Sequence, residues 1–280
     1  MVKHTFLVWV GGKEWLWKHI KPYLTSSTHE IYIEPFLGGG AIALHYLKWC
    51  RKHNVSKKFI LSDDNEALIN AYIQIRDDVE SLIGILDELS QTQVCRELYD
   101  VRREEFNEIP KNSCRSAALF IWLNAHCFRG LWRVSKTNRF NVPFHKLRPN
   151  GFYSPGTLRS LSDLLQGVDL RHCSFEQVQE NGIVYLDPPY VNVFQKYSSN
   201  PPTSDDLQAW IDRHRDSTIL ISNNQHYTPP PNAELLYQES VFQRVLAEKG
   251  VRREEYLYGV FVNNHSNFST LSKHATSDIC

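Results

Sequence analysis

The chain has 280 residues, enough for one large or two modest domains with a sizeable core. Hydrophobic residues make up 42%, with 7 Trp, 14 Phe and 13 Tyr, a composition that excludes a largely disordered chain. Lys plus Arg and Asp plus Glu both number 31, so any attraction to a polyanion has to be local.

Near the start the longest apolar run is Phe6 to Val10, far short of a signal-peptide core or of the roughly 20 residues of a membrane span. A soluble, unexported, cytoplasmic protein is expected. Six cysteines lie scattered with no C-x-x-C pair, and the 12 histidines show no H-x-x-x-H. Neither a disulfide framework nor a metal site is expected.

The first strand signal is Glu30 to Glu34, β-branched and aromatic, stopping at Pro35. Gly38 to Gly40 then open an amphipathic stretch, Ala41 to His53. A second apolar run, Phe59 to Ser62, ends at Asp63, and from Asn65 the spacing of Leu68, Ile69, Tyr72 and Ile75 predicts a helix. Helices are predicted over Val94 to Ile109 and Cys114 to His126, followed by a loop-rich stretch to about Pro155. Ile183 to Leu186 reads as a strand, Asp205 to Arg215 as a helix and Thr218 to Ser222 as a strand. Pro229 to Pro231 mark a rigid turn, Glu255 to Val262 a closing strand, and 263–280 a polar, flexible tail. The β-α alternation at both ends points to an α/β domain with a mostly parallel sheet.

Four constellations carry chemistry. Asp187-Pro188-Pro189-Tyr190 directly follows the strand Ile183 to Leu186, at the carboxyl end where α/β sheets place ligands. Two prolines stiffen the backbone, so a carboxylate, a carbonyl and an aromatic face can surround one planar group. That suits an exocyclic amine: hydrogen bonds to Asp187 and to the Pro188 carbonyl would localise the nitrogen lone pair while Tyr190 stacks on the base. Glu34-Pro35-Phe36-Leu37-Gly38-Gly39-Gly40 with Asp63, 25 residues beyond Gly38, has the logic of a nucleoside site. There the glycine turn admits a ligand and the acid accepts ribose hydroxyls. A dinucleotide is disfavoured because position 43 of the G-x-G-x-x-G spacing is Ala, and an ordinary strand-helix turn stays open. Trp9-Val10-Gly11-Gly12-Lys13 lacks the first glycine of a phosphate loop.

The fourth is charge. Ile109 to Ser162 contains no Asp or Glu, where even spreading of the acids predicts about six, and carries Lys111, Arg115, Arg129, Arg133, Lys136, Arg139, Lys146, Arg148 and Arg159. Trp122, Phe128, Trp132, Phe140, Phe144 and Phe152 lie between them. A segregated positive, aromatic face is expected, as a phosphate-tracking module needs.

Taken with Phe6 to Lys13 and Phe140-Asn141-Val142-Pro143-Phe144, these motifs resemble the DNA adenine methyltransferase (Dam) family, D12 class and N6-adenine-specific, with the alpha-type motif order, over roughly residues 5–262. The resemblance implies a Rossmann-like class I S-adenosylmethionine-dependent methyltransferase sheet of seven strands, one antiparallel. A smaller, mainly helical target-recognition domain with a hairpin would accompany it. Residues 1–76 and 156–262 would form the catalytic domain and 77–155 the recognition domain. It implies S-adenosyl-L-methionine as cofactor, double-stranded DNA as partner, an adenine N6, within GATC in some relatives, as acceptor, and a cognate restriction endonuclease as a candidate partner. Trp9, Gly12, Lys13, Glu34, Phe36, Gly38, Gly40, Asp63, Phe175 and Asp187 would line the cofactor pocket. Asp187, Pro188, Pro189 and Tyr190 would take the target base. Asn124, Phe128, Arg129, Leu131, Arg133, Lys136, Arg139, Asn141 and Lys146 would meet DNA, Arg133 reading a guanine.

The chain departs from the family at Val8, where some GATC-specific relatives carry lysine, and at Arg129, where a smaller polar residue often enters the duplex. A non-catalytic DNA-binding module on the same fold, or an enzyme acting on RNA or protein, are the competing readings.

Overall fold

The computed structural model describes residues 6–145, 152–190, 202–224, 226–242 and 252–261. In chain order they form α1 (Trp17–Ser26), β1 (Ile31–Glu34), α2 (Ala41–Lys52), β2 (Lys58–Asp63), α3 (Glu66–Asp77), α4 (Val79–Ser90), α5 (Arg96–Glu108), α6 (Cys114–His126), α7 (Pro155–Leu165), β3 (Asp169–His172), β4 (Ile183–Leu186), α8 (Ser204–Arg213), β5 (Thr218–Asn224), β6 (Glu234–Phe242) and β7 (Arg252–Val260).

The seven strands make one sheet in the order β3-β2-β1-β4-β5-β7-β6. β1 to β5 pair in parallel, and β7 runs antiparallel to both β5 and β6. The expected sheet, with one reversed strand, is the one observed. Chain order turns around between β1 and β4, so a crevice opens at the carboxyl ends of these neighbours, where Glu34 and Asp187 stand.

Both sheet faces are covered, which is why the central strands read as unbroken apolar runs. Tyr32, Leu61, Ile183, Tyr185 and Leu220 point into a core shared with α2, α3 and α7. Their alternates Ile33, Ile60, Val184, Leu186, Ile219 and Ile221 pack against Leu207, Trp210 and Ile211 of α8. Local sequence starts the helices where it should: Asn65 accepts the Leu68 N–H at 3.2 Å, Ser113 that of Ser116 at 3.1 Å, and Thr203 forms a capping box with Asp206.

The sequence reading passed over α1, α4, α7, β3 and β6. β3 is short and half-buried, and an edge strand of this kind has no apolar alternation to announce it. The closing strand begins at Arg252, three residues before its expected start, because its pairing with β6 extends that far. Val262 and the tail 263–280 lie outside the described residues. α6 is buried along almost its whole length, packs on α3, α4 and α5, and continues the core of the sheet's helical layer. Among the described residues no helix is long and apolar enough to cross a membrane.

The approach of β1 to β4 depends on Gly182, just before β4. A methyl there would overlap the Ile31 carbonyl, a backbone atom that cannot swing aside. Gly182→Ala is therefore expected to destabilise the fold by about 1 to 3 kcal/mol, lowering the thermal midpoint by roughly 5 °C. An unchanged midpoint in thermal unfolding would refute this account of the β1 to β4 contact.

Candidate active site

Asp187 leaves the carboxyl end of β4 beside Ser222 of β5. The Ser222 hydroxyl donates to Asp187 Oδ1 at 2.7 Å, and the Tyr185 hydroxyl lies 2.9 Å from Ser222 Oγ. With the serine proton committed to the carboxylate, Tyr185 is the donor of the second bond. Tyr185, near the end of β4, and Asp187, just beyond it, both reach the Ser222 hydroxyl. Burial and the nearby Asp187 charge push the Tyr185 phenol well above its ordinary value, which keeps it a donor.

The second carboxylate oxygen meets Lys13, whose Nζ lies 3.2 Å from Asp187 Oδ2 and donates to the Gly11 carbonyl at 2.6 Å. The same ammonium stands 4.7 Å from the centre of the Tyr190 ring. Lys13 and Tyr190 are buried, Pro188 is buried and Pro189 half-buried. A nitrogen donor thus already occupies the space framed by carboxylate and aromatic face.

β1 ends on a buried acid, Glu34, and β2 on a half-buried one, Asp63. Asp63 accepts the Gly38 N–H at 2.9 Å and the Asn65 N–H at 3.0 Å, and burial pushes its carboxyl up to about 7. Glu34 accepts the Tyr32 hydroxyl at 2.5 Å, and burial, with Asp187 and Asp63 nearby, pushes it up to about 8. Glu34 is thus neutral at physiological pH and bonded within the protein rather than presented as a free carboxylate.

The glycine turn is shaped by two neighbours. Gly40 caps α2 at φ 65°, and a Cβ there would sit 2.6 Å from the Tyr72 hydroxyl. One on Gly38, φ 49°, would sit 2.8 Å from Trp9 Nε1. Trp9 therefore covers the turn. Gly12 is exposed in the turn before Lys13. Phe36 and Phe175 stack with ring centres 5.2 Å apart at the carboxyl edge of the sheet.

Of the residues expected to meet DNA, the structure gathers Phe128, Arg129, Leu131, Arg133 and Lys136 in one loop and hairpin after α6. The hairpin is closed by the Val134 to Phe140 bridge. Arg133 is oriented by Asn141, its Nε donating to Asn141 Oδ1 at 2.7 Å and its Nη2 to the Asn141 carbonyl at 2.9 Å. Lys146 lies outside the described residues, as does Arg148.

Two expectations need correction. Asn124 does not face outward: it is buried, with its amide spent on the Val8 and Gly130 backbones. The acid-free stretch is also not a bare positive face. Arg115 pairs with Glu105 and Glu88, Arg139 with Glu104 and Glu108, and Arg159 with Glu80. These acids come from α4 and α5, just upstream, so a count along the chain segregates charges that space brings together. Arg129 and Lys136 are exposed, the Arg129 guanidinium 5.1 Å from the centre of the Phe128 ring.

Ser222 and Tyr185 were missed by sequence reasoning. The available signal was position: Ser222 stands at the carboxyl half of the strand next to β4, and Tyr185 one alternation before Asp187.

A seven-stranded, mostly parallel sheet with one reversed strand and an Asp-Pro-Pro-Tyr corner at its switch point is the arrangement that the resemblance to N6-adenine methyltransferases implies. The D12 class N6 adenine-specific DNA methyltransferase family matches residues 9–248, and the chain belongs to that family. Among curated relatives, it is 31% identical to the Type II methyltransferase M.MjaIII of Methanocaldococcus jannaschii, over 93% of this chain and 98% of that protein. It is 28% identical to the Type II methyltransferase M1.LlaDCHI of Lactococcus lactis over 87% and 88%. It is 29% identical to the DNA adenine methylase of Escherichia coli K12 over 78% and 80%.

The raised Glu34 carboxyl has a consequence for stability. The folded protein holds this proton to about pH 8, whereas the unfolded chain releases it near the ordinary glutamate value. Folding therefore loses stability as pH rises between those limits, by up to about 1.4 kcal/mol per pH unit. Glu34→Gln removes that dependence, while the Asp63 contribution stays common to both proteins. In urea unfolding between about pH 5 and 8, the variant should gain on the wild type as pH rises; a constant difference would contradict a buried neutral acid.

Proposed function

We propose that the protein transfers a methyl group from S-adenosyl-L-methionine to N6 of an adenine extruded from duplex DNA. The observation that carries the reading is the corner itself: Asp187 fixed by Ser222, beside Tyr190, with a nitrogen donor held between them by the fold. A base stacked on Tyr190 brings its exocyclic amine to the place the Lys13 ammonium holds.

The cofactor fits the residues present. Asp187, paired with Lys13, ends β4, Asp63 ends β2, and the neutral Glu34 ends β1 between them. Phe36 and Phe175 offer an apolar edge for an adenine ring, Asp63 acceptors for ribose hydroxyls, and Trp9, Gly12, Gly38 and Gly40 the surrounding walls. Bound S-adenosyl-L-methionine supplies an electrophilic methyl group there.

The chain's own residues do the rest. Asp187 and the Pro188 carbonyl accept hydrogen bonds from the two amine hydrogens, which pulls the lone pair out of conjugation with the ring. Tyr190 holds the base plane. The new N–C bond would form as the sulfonium S–CH3 bond breaks, its electron pair staying on the sulfur of a neutral S-adenosylhomocysteine; the nitrogen, then cationic, would lose its proton to Asp187 or to water, so no neutral-pKa base is needed. Rotating the base out of the stack costs a few kcal/mol, offset by contacts along the 128–136 loop.

In the same reading, residues 77–155 act as the recognition part and 1–76 with 156–262 as the catalytic part. This division is one of function, since α6 shares the sheet's core. Arg133, oriented by Asn141, reads a guanine, and Phe128, Arg129, Leu131, Lys136 and Arg139 border the duplex. Adenine as the target base is supported by likeness to a DNA adenine methylase; GATC is what the motif resemblance implies, and Val8 stands against it. A cognate restriction endonuclease is supported by likeness to proteins named type II methyltransferases.

Labelled-methyl transfer into duplexes, with the modified base identified by mass spectrometry, tests the reading. N6-methyladenine is expected. Asp187→Ala should lower the rate by about 10³-fold or more while S-adenosylhomocysteine affinity changes less than about fivefold. Label in cytosine, RNA or protein, or wild-type turnover by the variant, would overturn it.

A further inference from the structure

Asn124 lies in the last turn of α6, and its side-chain amide holds two distant backbone segments at once. Oδ1 accepts the Val8 N–H at 3.0 Å, while Nδ2 donates to the Val8 carbonyl at 2.9 Å and to the Gly130 carbonyl at 3.2 Å. The amide thus acts toward Val8 as a neighbouring strand would, saturating both its backbone groups. Shape supports the junction as well: a Cβ on Gly130 would lie 2.7 Å from Val8 Cβ and from the Val8 carbonyl oxygen. The two segments touch so closely that only glycine fits.

Functional residues flank this junction on both sides. Next to Val8 is Trp9, which covers Gly38, and four residues further on is Lys13, on Asp187 and Tyr190. Next to Gly130 are Arg129 and Leu131, at the tip of the loop offered to DNA. The anchor is rigid, because α6 is buried from Ser116 to His126. A shift of the loop is therefore not absorbed by α6 but passes to the strap of residues 6–13, with which it shares the Asn124 amide.

We propose that Asn124 is a positioning residue that couples the two sites: engagement of the 128–133 loop by a duplex sets the strap over the glycine turn, and cofactor binding sets the loop. The inference rests on the adenine methyltransferase reading above. Such coupling is reciprocal by linkage, so each ligand tightens the other by the same factor.

The test measures S-adenosylhomocysteine affinity of the full chain with and without saturating duplex, and duplex affinity with and without S-adenosylhomocysteine. The duplex used is the one the wild type methylates fastest. The wild type should show equal factors of about tenfold in both directions. Asn124→Ala should bring both below about threefold. Gly130→Ala, which leaves the amide in place but wedges the loop from Val8, should do the same, and thermal unfolding identifies the variants that are folded. A wild type that methylates DNA but binds the two ligands independently overturns the inference and leaves the function standing. Folded variants that keep the wild-type factor, whatever their loss in thermal midpoint, overturn it too, since Asn124 is then merely structural. A wild type that methylates no duplex overturns the functional reading instead.

Discussion

Three carboxyl groups gathered at the carboxyl ends of β1, β2 and β4 are the constraint around which the rest of the molecule is arranged. Glu34 is paired with Leu61 of β2, and the Ile33 to Val184 pairing continues to Tyr185 of β4, so Asp63 and Asp187 stand two residues beyond the level of Glu34, at the carboxyl ends on either side of β1. Each is costly to bury as an anion. Each is relieved differently: Glu34 by staying protonated and bonding Tyr32, Asp63 by two backbone N–H groups, Asp187 by Ser222 and the Lys13 ammonium.

The carboxyl cluster also explains why the N-terminal strap belongs to the site. Lys13 is the cation that meets Asp187, and it reaches there only because residues 6–9 are laid along α6 and over the glycine turn. Phe6 stacks edge-on against Tyr72, Trp9 covers Gly38, and Asn124 holds Val8. Catalytic electrostatics and chain path are therefore set by the same few contacts.

The strands β1, β2, β4, β5 and most of β7, and the motif positions, were legible in the sequence because they rest on local rules. A β-branched run stopped by proline, glycine or aspartate is a parallel strand ending at a site, and the helix over Cys114 to His126 was legible although its burial was not. What depended on pairing in space was not legible. The acid-free window suggested a positive face, yet Arg115, Arg139 and Arg159 find their partners in the acid-rich helices before it. Asn124 matched a motif segment and was assigned to DNA, whereas its polarity serves two backbones inside the fold. Glu34 and Asp187 are both acids after strands; only their surroundings, Tyr32 for one and Ser222 with Lys13 for the other, make the first a neutral acid and the second a poised acceptor.

The loop after α6 carries its own signature of design. Arg129 adopts φ 56°, ψ 19°, and Gly130 φ 67°, two successive left-handed residues of which the first is not glycine. For an L-residue with a Cβ that conformation costs about 1 to 2 kcal/mol, so the flanks must enforce it. They do: the Phe128 N–H bonds the Pro143 carbonyl at 2.9 Å, the Leu131 N–H the Phe128 carbonyl at 3.1 Å, and the Gly130 carbonyl is taken by Asn124. With both ends pinned, the reversal at Arg129 turns its side chain outward. A flexible loop would present the same guanidinium at greater entropic cost on binding. The strain is thus consistent with a preformed projection, and its inner end is the junction with Val8 on which the site's strap depends.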